Sequence, residues 1–86
     1  MTEHIRTIPP WWFRPLWEGA VQWVWVCDDQ RPALHAGDTL VMHDTSSRRR
    51  MRGEITHLYS GPEFADRNMV CVSLGRVAKL EARHAE

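Results

Sequence analysis

Four guanidinium groups fall within five residues at Arg48-Arg49-Arg50-Met51-Arg52, the densest chemical signal in the chain. Planar, permanently charged forks at that density suit phosphate or carboxylate recognition, and an exposed hairpin could lay them along a phosphate backbone. The same charges would also keep a hairpin tip solvated, with Glu54, Asp44 or Asp66 neutralising some of them. Aromatic residues give the second signal, because five tryptophans outnumber one tyrosine and two phenylalanines. An indole in a cleft can stack an unpaired base or anchor a protein partner, whereas in a small barrel most indoles fill the core. Trp23 and Trp25, two apart on one strand face, are assigned chiefly to the core, and Trp11 or Trp12 to a cleft.

Catalytic and metal chemistry have no comparable pattern. The chain contains no GxSxG, HExxH, glycine-rich phosphate loop or close carboxylate pair, and Ser46, Ser47, Ser60 and Ser73 lack motif context. Five histidines show no ligand spacing on one element. Cys27 and Cys71 are isolated inside apolar runs and read as buried free thiols of a reducing compartment. No metal or cofactor is expected.

Those side chains must be positioned by a small fold. Eighty-six residues make one domain, and 43% hydrophobic with 26% charged residues is ordinary globular composition. Eleven basic and eleven acidic residues cancel, so any anionic partner must be drawn by a local patch. No apolar run approaches a membrane span, and the N-terminus lacks the basic-then-apolar order of a signal peptide, which predicts a cytoplasmic protein with no membrane partner.

Residues His4 to Ile8 alternate and stop at Pro9-Pro10, a first strand. Trp12, Phe13, Leu16 and Trp17 share a helical face between Pro10 and Glu18, and Gly19 can end that helix. Pro15 predicts either a kink or a regular part beginning near Arg14. The run Val21 to Cys27 is apolar on both faces and belongs in the middle of a closed or covered sheet. Thr39 to His43 and Arg52 to Tyr59 flank a polar hairpin tip, and Met69 to Leu74 forms a last strand ended by Gly75. The tail 76–86 places Val77, Leu80 and His84 at helical spacing, so the expected domain is 1–75 with a tail that can form a short helix. The fold class is α+β, mainly β: a pseudo-β-barrel of about five strands with one early helix at an end.

Within that order, His4-Ile5-Arg6, Pro10-x-x-Phe13, Trp17-Glu18-Gly19, Gly37-Asp38-Thr39-Leu40, Arg52 through Tyr59 and Val70-Cys71-Val72 resemble the small ASCH-like domains of the PUA-like superfamily. The likeness runs from His4 to Leu74 and is to a compact bacterial and phage branch often described as RNA-binding. It implies a pseudo-barrel with a cleft beside the early helix, where relatives hold RNA or a modified nucleoside. Some relatives follow the helix with Gly-x-Lys-Thr-x-Glu-x-Arg and use the Lys and Thr to hydrolyse the amide of an acetylated cytidine. Here those four positions hold Val21, Gln22, Val24 and Val26. An isopropyl group has no proton to give or take, so the resemblance carries the fold and the cleft without the catalysis.

Three readings follow. A non-catalytic nucleic-acid-binding module, RNA rather than duplex DNA, would use Arg48, Arg49, Arg50 and Arg52 with an aromatic cleft bearing Gln22, Trp11, Trp12, Trp23 and Trp25, and Arg31 from the turn before Pro32. A phage or mobile-element inhibitor of a host protein, working in the host cytoplasm, would use the surplus tryptophans instead. A residual N4-acetylcytidine-type amidohydrolase is the third.

Overall fold

Two polar residues of the first strand face inward. A computed structural model describes residues 2–28, 32–60 and 69–80, and in it strand β1 (Glu3–Ile8) buries His4, Arg6 and Ile8 while Ile5 meets solvent. Buried polar groups need partners. The His4 Nε2–H donates to Asp38 Oδ2 at 2.8 Å, since an ionised carboxylate can only accept. Asp38 Oδ1 also accepts from the Thr2 backbone N–H at 3.2 Å. These bonds, that from His4 foremost, hold the Asp38 carboxyl below its ordinary value.

A carboxyl lowered in the folded state contributes stability above its unfolded pKa and loses that contribution as pH falls through the folded value. The window therefore lies on the acid side of the unfolded value of about 3.9. Asp38→Asn is expected to flatten the decline of stability below about pH 4, read from denaturant midpoints. An unchanged acid limb would assign that decline to other carboxylates.

Helix α1 (Pro10–Trp17) begins directly after β1, not near Arg14. Pro9 is extended and its carbonyl accepts from the N–H groups of Trp12 and Phe13 at 3.0 and 2.9 Å, while Pro10 occupies the first turn, where a missing donor is harmless. Pro15 is tolerated inside the last turn. Gly19, at φ 78°, closes the end: its N–H donates to Leu16 and that of Ala20 to Pro15, the paired bonds that satisfy terminal carbonyls. Phe13 and Leu16 point into the core, so the helix plugs the barrel as the apolar face requires.

The remaining elements are β2 (Trp23–Cys27), β3 (Thr39–Asp44), β4 (Arg50–Tyr59) and β5 (Met69–Leu80). They form one curled five-stranded sheet in the order β1-β3-β4-β5-β2, a mainly β half-barrel with one short helix. β1 runs parallel to β3, and the other neighbours are antiparallel. Two expectations are corrected. β2 lies at an edge of the hydrogen-bonded order, and only Val24 and Val26 enter the core, while Trp23 and Trp25 point the other way. β5 passes through Gly75 to Leu80, so residues 76–80 are strand rather than the start of a helical tail.

Sheet curvature explains the glycine. The β4–β5 register shifts between Gly53 and Ile55 and again between Ile55 and His57, and such irregularities bend a sheet sharply. At Gly75 a Cβ would meet Thr56 Cγ2 at 3.0 Å, so the glycine serves close approach of two strands, not termination. The two sheet edges, β1 and β2, are bridged by a side chain. Arg6 Nε donates to the Cys27 carbonyl at 3.3 Å and Nη1 to the Ile5 carbonyl at 3.0 Å.

Candidate functional site

The arginines sit on a turn that a single carboxylate organises. Asp44, at the end of β3, accepts from the Ser46 N–H at 2.9 Å, the Ser46 hydroxyl at 3.0 Å and the Ser47 hydroxyl at 2.8 Å. The Ser47 hydroxyl in turn accepts from the Arg49 N–H at 3.1 Å. The Ser46 backbone donor first, then the serine hydroxyls and the Arg49 charge, keep the Asp44 carboxyl below its usual range. Thr45-Ser46-Ser47 is thus an ordered tip. Arg48, Arg49 and Arg50 line an open concavity of about 520 Å³ with His43, Asp44 and Ser47. Arg52, exposed, stands one step along the solvent face of β4 opposite Val41. Of the three carboxylates that could offset these charges, Asp44 is engaged by the tip, Glu54 is exposed two residues beyond Arg52, and Asp66 lies outside the described residues.

A second concavity of about 400 Å³ opens between the sheet edges. Arg6, Thr7 and Pro9 form one wall, Trp12 comes from α1, and Trp25, Cys27 and Met69 close the other side. Its aromatic wall is braced: Trp12 meets Trp23 edge-on at 5.6 Å between ring centroids. Trp12 and Trp25 thus line one concavity beside the early helix. Thr7 of this cleft is the register partner of His43 of the arginine concavity, so these two lining residues stand one strand spacing of about 4.8 Å apart.

Other expected members fall elsewhere. Gln22 is exposed in a third concavity, of about 310 Å³, with Trp17, Lys79 and Leu16, and its carbonyl accepts from the Leu74 N–H at 2.8 Å. Trp11, 73% exposed, lies with Pro10, Arg14 and Pro15 in a fourth. Arg31 lies outside the described residues. Trp23 and Trp25 are not core residues: Trp23 is 40% exposed and Trp25 half-buried. Nor are the thiols buried. Cys27 is exposed with its Sγ 3.3 Å from Met69 Sδ, and Cys71 is half-buried, with burial pushing its thiol pKa up and suppressing the reactive thiolate.

No family model matches this chain, and no curated protein matches it. Among the described residues no three His, Cys, Asp or Glu side chains gather as metal ligands, and no helix is long and apolar enough to cross a membrane.

Three residues that sequence reading did not single out belong to this surface. Arg6 lines the cleft, and its place in an alternating strand reads as solvent-facing. Trp17 carries Arg49 at 5.0 Å and Lys79 at 4.5 Å from its ring centroid. It reads as a core residue from helical spacing, and Lys79 as part of a tail. Together they extend the cationic surface from the hairpin to the far end of α1.

Proposed function

We propose that this chain is a non-catalytic nucleic-acid-binding module whose ligand is RNA. The carrying observation is that the arginine concavity and the aromatic cleft are lined by residues of neighbouring strands, His43 and Thr7, which are register partners. Arg48, Arg49, Arg50 and Arg52 meet phosphates, and Trp12 with Trp25 receive an unpaired base beside the Arg6 guanidinium. The neutral net charge makes this a local attraction, short in range and sensitive to salt. The ASCH-like likeness supports the same ligand class. Val21 and Gln22, standing where relatives place Lys and Thr, argue against the amide hydrolysis some of them perform.

The test is fluorescence anisotropy of the full chain with a mixed pool of single-stranded and structured RNA across a salt series. Binding at micromolar concentrations or tighter, weakening log-linearly with salt, is expected. Absence of binding at low salt would overturn the reading.

One observation favours a second reading. Trp11, 73% exposed between Pro10 and Pro15, is a large apolar anchor outside both concavities of the RNA site. A host protein seated there, as for an inhibitor carried by a phage or mobile element, would form a salt-resistant complex lost on Trp11→Ala.

A further inference from the structure

We propose that the solvent face of β2, β5 and β4 is a base-stacking platform that makes the ligand a single strand several nucleotides long. This rests on the nucleic-acid reading above. β2 pairs with β5 so that Trp23 stands opposite Ser73 and Trp25 opposite Cys71. β4 pairs with the other side of β5 so that His57 stands opposite Ser73 and Tyr59 opposite Cys71. Two rows therefore cross three strands, Trp23–Ser73–His57 and Trp25–Cys71–Tyr59.

Alternation fixes which way they point. Val24, Val26 and Val72 fill the core, so their neighbours Trp23, Trp25, Cys71 and Ser73 lie on the opposite face. Tyr59 is 51% exposed and Trp23 is 40% exposed, although apolar core space lies one residue away from Trp23 at Val24. The middle strand carries only small side chains, which leave the flanking rings raised on either side. Trp25 and Tyr59 are two strand spacings apart, about 10 Å, more than one base can cover and suited to two or more. The edge-on contact from Trp12 holds the Trp23 ring in place before a ligand arrives.

Charge identifies the occupant. The two rows contain no carboxylate, and the same face of β4 leads back, past the one exposed carboxylate of Glu54, to Arg52 and Arg50 at the hairpin. Raised rings at one end of a strand and guanidinium groups at the other fit a ligand with stackable faces joined by anionic linkers. Trp25 belongs both to the platform and to the cleft, so the two form one continuous track. Stacking accepts the face of any base, so the platform confers preference for unpaired over paired strands and little sequence selectivity.

The experiment measures anisotropy with a labelled single-stranded RNA of about twelve nucleotides and with the same strand annealed to its complement. Tyr59→Ser, at an exposed site whose folding is checked by thermal melting, is expected to weaken single-strand binding about 5- to 150-fold and to leave the duplex unaffected. Tyr59→Phe keeps the ring and is expected to bind as the unaltered protein does. Trp23→Ser serves as an independent second variant with the same expected direction. Wild-type single-strand affinity in both serine variants, with loss on removing the arginines, would overturn the platform and leave the RNA reading standing. Equal weakening of single strand and duplex would also overturn it. Failure of the unaltered protein to bind either form would overturn both.

Discussion

Phe13→Ala is expected to remove about 3–5 kcal/mol of folding stability, the range for truncating a fully buried aromatic ring. Phe13 is 1% exposed, sits midway along α1 and faces Trp17 in a stacked arrangement with centroids 5.8 Å apart. It is the largest fully buried side chain of the core into which the helix inserts. The neighbouring turns are held by the Pro9 and Gly19 caps, so the helix has little freedom to slide inward and fill the void. Small domains have about 5–10 kcal/mol in total, so the variant should be partly unfolded at 37 °C. Urea denaturation with an unchanged slope would record the loss as a shifted midpoint. Trp11→Ala, two residues earlier and exposed, should stay within about 0.5 kcal/mol of the parent. A Phe13→Ala protein equally close to the parent would mean that α1 does not plug the barrel.

Replacing Arg48, Arg49, Arg50 and Arg52 together by Ala is expected to lower the slope of log K against log salt by about 3, at about 0.7 per single-strand phosphate contact. At 0.1 M salt this amounts to an affinity loss on the order of several hundred-fold. The prediction is this large because four charges are removed together from one turn, at least one of them held in place. Arg49 rests over Trp17, its N–H is bonded to Ser47, and the Asp44 network fixes the tip between them. Replacement of all four by Lys keeps the charge and removes the fork, so the slope should persist while affinity falls. An unchanged slope in the Ala variant would reduce the run to a solvated hairpin tip.

The elements were legible wherever period and punctuation agreed. β1, α1, β3 and the hairpin follow from alternation, Pro9-Pro10, Gly19 and the polar run after Asp44. Their environments were less legible. The β2 run is apolar at nearly every position because its core face is valine and its other face is tryptophan, and both compositions describe a central strand equally well. Only the pairing shows it to be an edge. Gly75 carries the same letter as a strand-ending glycine, and its actual reason, the approach of Thr56, depends on a register shift between residues nineteen positions apart. Arg6 was hidden for the converse reason. A charged residue in an alternating strand predicts the wet face, and the Cys27 carbonyl that satisfies it lies twenty-one residues away. Gln22 was placed in the aromatic cleft by motif likeness, whereas the turn after Gly19 sets it at the opposite end of α1.

The Asp44 tip also bears on how the chain reaches this fold. His43 and Arg50 meet across seven residues, whereas β1 joins β3 across thirty-six and β2 joins β5 across as many as fifty. Loop-closure entropy grows with the logarithm of that separation, so closing β1 onto β3 costs about 1.5 kcal/mol more than closing the hairpin. The arginine turn is the most local pairing in the sheet and can form before either edge strand is recruited. The bridge from Arg6 to Cys27 needs both edges in place and can only follow. The surface that carries the charge is thus independent of the slowest steps of assembly, while the aromatic cleft comes into being with the last of them.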